Sequence, residues 1–256
     1  MPLLLSPITP SDTLSWTRIR SKAYLGPTHE LIHRGPISED SILKSAEDRK
    51  REIGRQNTWH WKIVDTDLAP SDGDPDDNGG KTIAIAVWSA HNVDLNLDQP
   101  LEEQKKVGKG GVVEGSNEPA SAPAEGAELL SSFKKDEEPP FLPPEVRIDV
   151  LNALFAPIRA AQKEIMGEKP YFILNTLATL QEHARRGAAS MLLKWGLDMA
   201  DELGLETYLD TTPVARRLYE RSGFVLVKDI YFDRTPWGGE GTDWYGAMVR
   251  KPKASE

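Results

Sequence analysis

Residues 183–204 read HARRGAASMLLKWGLDMADELG, where a glycine and small residues separate two arginines from an amphipathic helix. Its apolar residues recur at helical spacing: Met191, Leu192, Trp195, Met199 and Leu203. The first N–H groups of a helix lack an intrahelical acceptor, and the helix dipole adds positive charge there. The segment from Arg185 to Ser190 therefore favours binding of a phosphate or pyrophosphate. The alternative is a tightly packed helix start with two solvated arginines.

The residues around this helix alternate between strand and helix patterns. Strands are predicted at 171–179 and 206–212, followed by a helix over 213–223 with proline in its first turn. Two further strands are predicted at 224–232 and 244–250. This order predicts an α/β fold with a parallel strand pair in its middle.

The first half of the chain predicts a strand, two helices and two strands, in the order 2–5, 11–26, 38–54, 58–65 and 81–90. Residues 92–144 change in character, with stretches such as EGSNEPASAPAEGAE that carry few apolar side chains. We expect a low-complexity, mobile insertion there, because so little apolar surface cannot offset the entropy of ordering. A helix is predicted over 145–166.

The overall composition excludes several classes of protein. The formal net charge of −9 argues against general nucleic-acid binding, which requires a basic surface. The chain contains no cysteine, so disulfides, thiolate catalysis and cysteine-ligated zinc are impossible. No apolar run reaches the roughly 20 residues that a membrane helix needs, and the first residues lack a secretory pattern. We expect a soluble, cytoplasmic protein without a membrane contact.

The segment 184–189, ARRGAA, resembles the central Gln/Arg-x-x-Gly-x-Gly/Ala motif of the GNAT family of acyl-CoA-dependent N-acyltransferases. A second family pattern matches downstream at Ala215, Leu218, Tyr219, Gly223 and Phe224. Ala184 replaces the usual Gln or Arg of the first motif, and Thr212 stands where Asn is usual in the second. The resemblance covers residues 170–228, and the first ninety residues agree with it in the order of their elements.

The resemblance implies a single GNAT domain over residues 1–256, with an acyl-CoA-binding core at 170–228. Its fold would be a mixed, mostly antiparallel sheet that is splayed between strands 4 and 5 and flanked by helices. Acetyl-CoA would be the cosubstrate, and no metal is implied. The residues implied to bind acetyl-CoA are Leu177, Ala178, Thr179, Arg185, Arg186, Gly187, Ala188, Ala189, Ser190 and Thr212.

The resemblance also implies direct transfer of an acetyl group to a primary amine. Tyr219 matches the position of the family's usual acid, and the alternative is that it packs against the sheet or contacts CoA. Asp210 is the predicted base, with His183 and Asn175 as alternatives.

The predicted acceptor site is formed by Trp237, Trp244 and Tyr24, since aromatic rings suit an organic cation. The expected partner is a small-molecule amine, and no oligomeric state is indicated. A protein or peptide acceptor, or a degenerate protein that binds CoA without turnover, are the alternatives.

Overall fold

The computed structural model describes residues 2–24, 26–93 and 140–253. Seven strands form one sheet in the order β1-β2-β3-β4-β5-β7-β6. The strands are β1 Leu3–Pro7, β2 Thr58–Asp65, β3 Lys81–His91, β4 Tyr171–Thr179, β5 Glu206–Thr211, β6 Val225–Asp233 and β7 Thr242–Arg250. The helices are α1 Thr13–Ala23, α2 Pro27–Ile32, α3 Glu39–Arg49, α4 Ile148–Met166, α5 Ala188–Leu203 and α6 Pro213–Arg221. Most of the predicted insertion at 92–144 lies outside the described residues.

Strands β4 and β5 form the parallel pair of the sheet, and they diverge after three residues. Only Tyr171–Ile173 of β4 pair with Glu206–Tyr208 of β5, whereas every other neighbouring pair of strands is antiparallel. Both strands continue past this point, to Thr179 and Thr211. The predicted fold class is therefore confirmed: a mixed, mostly antiparallel sheet is splayed between its fourth and fifth strands.

A β-bulge interrupts β4 where the two strands separate. Val87 of β3 pairs with Thr176, but the next β3 residue, Trp88, pairs with Leu174, so Asn175 has no partner of its own. A bulge of this kind bends its strand and increases its twist. The bulge thus lies next to the point where β4 leaves β5.

Helix α5 covers one face of the sheet, which we call the α5 face. Its apolar residues Leu192 and Leu197 belong to a buried cluster with Trp88 and Phe172, whose rings stack at a centroid distance of 5.3 Å. Gly196 faces the indole of Trp88, and a Cβ at this position would overlap the ring. The glycine therefore permits close packing of α5 on the sheet.

Helices α4 and α1 cover the opposite face, which we call the α4 face. Helix α4 packs Leu154 against Ile173 and Tyr208, and α1 packs Trp16 against Val87. The six-residue helix α2 follows α1, where the sequence predicted no helix. Within the described ranges, no helix is both long enough and apolar enough to cross a bilayer.

Candidate active site

The edge of β4 that faces β5 is open beyond the last pair of these strands. Leu177, Ala178 and Thr179 pair with β3 on one side, and the β5 ladder ends before reaching them on the other. Their backbone groups on that side are available to an extended ligand, as in strand addition to a sheet edge. The three residues predicted to bind the pantetheine arm therefore line the notch between β4 and β5.

The start of α5 exposes a group of backbone donors at the mouth of the same notch. Gly187 caps the helix with φ of 93°, a left-handed conformation that glycine adopts without strain. Its carbonyl accepts the bond from Met191 N–H at 3.0 Å. Among the described residues, no backbone carbonyl accepts from Gly187, Ala188, Ala189 or Ser190 N–H. These groups, aided by the helix dipole, form an anion cradle.

The two arginines of the cradle have different surroundings. Arg185 is exposed and adopts φ of 61°, whereas the Arg186 guanidinium lies 2.6 Å from the buried carboxylate of Asp65 on β2. Burial opposes ionisation of Asp65, but the interaction with Arg186 and the hydrogen bond from Asp67 N–H together outweigh it and lower the pKa of this carboxyl. The charge of Arg186 is thus compensated by Asp65, and Arg185 supplies the exposed side-chain charge at the cradle.

His183, one of the three candidate bases, is engaged with the cradle arginine. Its Nδ1 lies 2.9 Å from Arg186 Nη1, and an arginine can only donate, so this nitrogen is an acceptor. Burial and the nearby charge of Lys81 lower the pKa of His183. His183 therefore contacts the cradle through Arg186, and its role as a base stays a prediction.

Asp210 lies on β5 two residues past the last pair with β4. Its Oδ1 accepts a hydrogen bond of 2.7 Å from the Tyr208 hydroxyl. Burial raises the pKa of Asp210 to about 7, against the lowering effect of that hydrogen bond. A carboxyl group with this pKa can accept a proton near neutral pH, which is the property that a general base needs.

Tyr219, the predicted acid, extends from α6 into the α5 face and is 5% exposed. Its ring packs edge-on against Phe224 at 5.8 Å. Burial raises the pKa of Tyr219, and the neighbouring hydroxyl of Tyr24 raises it further, so the phenol stays protonated. Tyr24, a predicted acceptor residue, directly follows α1.

Thr212, predicted to bind the cofactor, caps α6 through its backbone. Its carbonyl accepts from Ala215 N–H at 3.2 Å and from Arg216 N–H at 3.1 Å, and its side chain makes no capping bond. The threonine thus fixes the start of the helix that carries Tyr219.

The structure separates the two tryptophans of the expected acceptor site. Trp237 packs with the α4 cluster, and its carbonyl accepts from Arg147 at 3.2 Å. Trp244 donates its indole N–H to Asp229 at 2.6 Å and lies under the guanidinium of Arg216 on α6. Successive residues of β7 alternate between faces, so Trp244 lies on the α5 face. The two rings do not form one wall.

Ser89 and His91 are buried polar residues at this site that sequence reasoning missed. Asn175 Nδ2 lies 2.7 Å from Ser89 Oγ, which in turn lies 3.0 Å from His91 Nε2. The sequence does carry a signal for them. Ser89 and His91 are polar residues at alternate positions in the apolar run KTIAIAVWSAH, so both side chains point to one face of the strand. Among the described residues, no group of three or more His, Cys, Asp or Glu side chains could hold a metal ion.

The comparisons agree with this geometry. Residues 133–224 match the model of the acetyltransferase (GNAT) family. Arylalkylamine N-acetyltransferase 2 from Aedes aegypti is similar at a TM-score of 0.55 and 10% identity, covering 99% of this chain and 100% of that chain. Histone acetyltransferase HPA2 and related acetyltransferase from Corynebacterium glutamicum reaches a TM-score of 0.52 at 17% identity, covering 100% and 99%. Polyamine N-acetyltransferase from Drosophila melanogaster reaches 0.52 at 10% identity, covering 97% and 99%. A search of curated protein sequences finds no match.

At these identities the solved structures establish the fold, and the family model matches residues 133–224. The matched segment 133–224 contains β4, the anion cradle, β5 and α6, which together form the notch. The resemblance seen in the sequence is therefore confirmed, since this segment matches the GNAT family model and the fold is that of the similar acetyltransferases. The match supports an acetyl-CoA-dependent acyltransferase.

Proposed function

We propose that this protein transfers the acetyl group of acetyl-CoA to the primary amine of a small molecule. The observation that carries the proposal is the position of the Asp210 carboxyl group at the splayed end of β5, where burial raises its pKa to about 7. The site thus combines a base that suits neutral pH with a notch that has the anion cradle at its entrance. Neither feature alone distinguishes an acyltransferase from a simple anion-binding protein.

The donor groups of the chain fit acetyl-CoA. The N–H groups of Gly187 to Ser190 have no backbone acceptor within the described ranges and suit a pyrophosphate, with the exposed Arg185 beside them. The open edge of β4 from Leu177 to Thr179 suits the amide-bearing pantetheine arm. Backbone donors at this edge would also polarise the thioester carbonyl as the oxyanion develops.

The residues of the notch supply the proton transfers that the reaction needs. The neutral amine attacks the thioester carbon, a C–N bond forms, and the C–S bond breaks. Asp210 accepts the proton from the amine nitrogen, and Tyr219 donates a proton to the leaving thiolate. Burial keeps Tyr219 protonated before transfer, because it raises the pKa of the phenol.

A small acceptor is favoured because the β6–β7 hairpin is fastened over the α4 face. Asp243 accepts from Thr28 of α2 and also pairs with Arg234 at 2.6 Å. Gly239 lies directly against Leu31, so a Cβ there would clash with that side chain. These contacts hold the hairpin against α2 and narrow the approach to the notch. Two of the similar structures are named as acetyltransferases of arylalkylamines and polyamines.

A peptide acceptor is the second candidate, because a cleft of about 640 Å³ lies between α1, α2 and α3. Its lining includes Ser21, Glu30 and Ile42. A cleft of this size could hold residues that follow an acetylated amine.

The first test is calorimetric titration with acetyl-CoA, with ATP and NAD as controls. We expect selective binding of acetyl-CoA, and its absence in a folded protein would refute the cofactor assignment. Release of CoA is then measured with agmatine, phenethylamine and a peptide with a free N-terminus. Turnover of the peptide alone would replace the small-molecule proposal with the second candidate, and binding without any turnover would indicate a degenerate protein.

The role of Tyr219 is tested with Tyr219→Phe, which keeps the ring and removes the proton donor. We expect lower kcat and unchanged acetyl-CoA affinity, because the phenol acts on the leaving group. Tyr231→Phe is the matched control, since Tyr231 is 63% exposed on β6. Equal kcat in Tyr219→Phe and the wild-type protein would rule out the acid role.

A further inference from the structure

A chain of three polar side chains, with Ser89 and His91 buried and Asn175 half-buried, lies beneath the notch on the α4 face. Ser89 and His91 are 2% and 4% exposed, which is unusual for polar residues of a central strand. Asn175 Nδ2 donates to Ser89 Oγ at 2.7 Å, and Ser89 Oγ lies 3.0 Å from His91 Nε2. Burying such groups costs free energy, so a strand gains nothing from them by packing alone.

The hydrogen bonds among these three side chains run in one direction, from Asn175 through Ser89 to His91. Ser89 Oγ accepts from Asn175, and among the described residues its other hydrogen-bond partner is His91 Nε2. Donation to Nε2 is therefore the arrangement that leaves the buried hydroxyl hydrogen paired. The imidazole is then neutral and carries its proton on Nδ1, which makes no hydrogen bond to the described residues. Burial lowers the pKa of His91 to about 4, so the ring remains an acceptor at neutral pH. The Asn175 amide is thereby fixed with its NH2 group toward Ser89.

The fixed amide lies at the reactive part of the notch. Asn175 is the bulge residue of β4, and it follows the last β4–β5 pair, Ile173–Tyr208, by two residues. Asp210 follows the same pair by two residues on β5. Ser89, the partner of Asn175, pairs with Ile173, so Asn175 and Asp210 are directed to the same face. With its NH2 group bonded to Ser89, Asn175 presents Oδ1, to which no described residue donates, as an acceptor for a further bond.

We propose that Asn175 binds the acceptor amine through Oδ1, opposite Asp210, and that Ser89 and His91 are positioning residues that fix the orientation of its amide. The proposal rests on the proposed acetyl transfer and adds a residue that recognises the amine. Two acceptors on either side of the notch align the nitrogen lone pair with the thioester carbon. A neutral amide suits this position, because a second carboxylate would raise the pKa of Asp210 further.

The positioning role is tested by steady-state kinetics of Ser89→Ala with whichever amine the wild-type protein acetylates fastest. We expect the KM for the amine to rise about tenfold, the effect of losing one well-placed hydrogen bond. Acetyl-CoA affinity by calorimetry should stay within about twofold of wild type. Ser89→Thr keeps the hydroxyl and should restore the amine KM.

Thr207→Val is the matched control for loss of a buried hydroxyl. Thr207 is 0% exposed on β5, and its hydroxyl has no hydrogen-bond partner among the described residues. We expect both kinetic constants of this variant to match wild type. An unchanged amine KM in Ser89→Ala, or an equal loss of amine and acetyl-CoA affinity, overturns the positioning role.

Asn175→Asp tests the amide itself through the pH profile. A carboxylate opposite Asp210 should move the rising limb of kcat/KM to higher pH, because neighbouring carboxylates raise each other's pKa. A profile identical to wild type would show that position 175 does not face Asp210 and the amine.

The direction of the hydrogen-bond chain has a readout that does not depend on activity. Nitrogen-15 NMR of the His91 ring, assigned with His91→Gln, should show the Nδ1–H tautomer from pH 8 to about pH 5. An Nε2–H tautomer would reverse the chain, turn the Asn175 NH2 group toward the notch and overturn the inference. If the wild-type protein acetylates no amine, the proposed function and the amine-binding role of Asn175 are both refuted. If the wild-type protein is active and Ser89→Ala has the same amine KM, only the role of Ser89 and Asn175 is refuted.

Discussion

The hydrogen bond from Tyr208 to Asp210 sets the pH at which the proposed base ionises. Burial raises the pKa of Asp210 from 3.8 to about 7, and the Tyr208 hydroxyl at 2.7 Å limits that rise. Tyr208→Phe removes the hydroxyl and keeps the buried ring, so the pKa of Asp210 should rise further. A hydrogen bond to a charged group contributes about 1.5–3 kcal/mol, which corresponds to about 1–2 pH units.

The assay is the pH dependence of kcat/KM for acetyl transfer, which reports ionisation in the free enzyme. The base acts when deprotonated, so the wild-type rate should rise with pH through about 7. In Tyr208→Phe the limb should move to about pH 8–9, and the rate at pH 7 should fall about 5- to 50-fold. The ionisation of the substrate amine also changes kcat/KM with pH, and this second effect is the same for all variants.

Two variants test whether the rise of kcat/KM near pH 7 reports the ionisation of Asp210. Asp210→Asn should lose the limb near pH 7 together with most of the rate. Asp198→Asn, which removes a carboxylate of an exposed ion pair with Lys194 on α5, should leave the limb in place. A limb that Tyr208→Phe does not move, or that persists at full rate in Asp210→Asn, would refute the assignment of Asp210 as the base.

Three further outcomes follow from the packing and the cradle. Gly196→Ala should lower the free energy of unfolding by about 1–3 kcal/mol in urea titrations, because its Cβ overlaps Trp88, whereas Gly→Ala in an open helix stabilises. A stabilised variant would contradict the close packing of α5. Arg185→Ala should weaken acetyl-CoA binding about tenfold at low salt and less at high salt, by calorimetry; a salt-independent affinity would place the phosphate elsewhere. Gly187→Trp should abolish acetyl-CoA binding because the indole would block the cradle. Gly167→Trp is the control, since Gly167 also has a positive φ and open space around it, and this variant should still bind acetyl-CoA. Binding by both variants would mean that the phosphates bind elsewhere.

The sequence determined the elements around the cradle because their signals are local. The apolar period of α5, the glycine at its start and the proline of α6 each act within a few residues. The short helix α2 escaped prediction, since six residues form a helix only with tertiary support. Asp210 was recognised as a candidate base, but its raised pKa depends on burial that the sequence does not display.

The tertiary structure alone decided which side chains meet. Asn175 and Ser89 are 86 residues apart in the chain, and a bulge on β4 directs them to each other. Arg186 finds Asp65 on β2, so one of two adjacent arginines is compensated. Trp237 packs with the α4 cluster, whereas alternation along β7 turns Trp244 to the α5 face. The periodicity of the sequence determines which side chains of an element face the core. Strand order, register and bulges determine which residues of other elements they contact. Those features arise only when distant segments pack together.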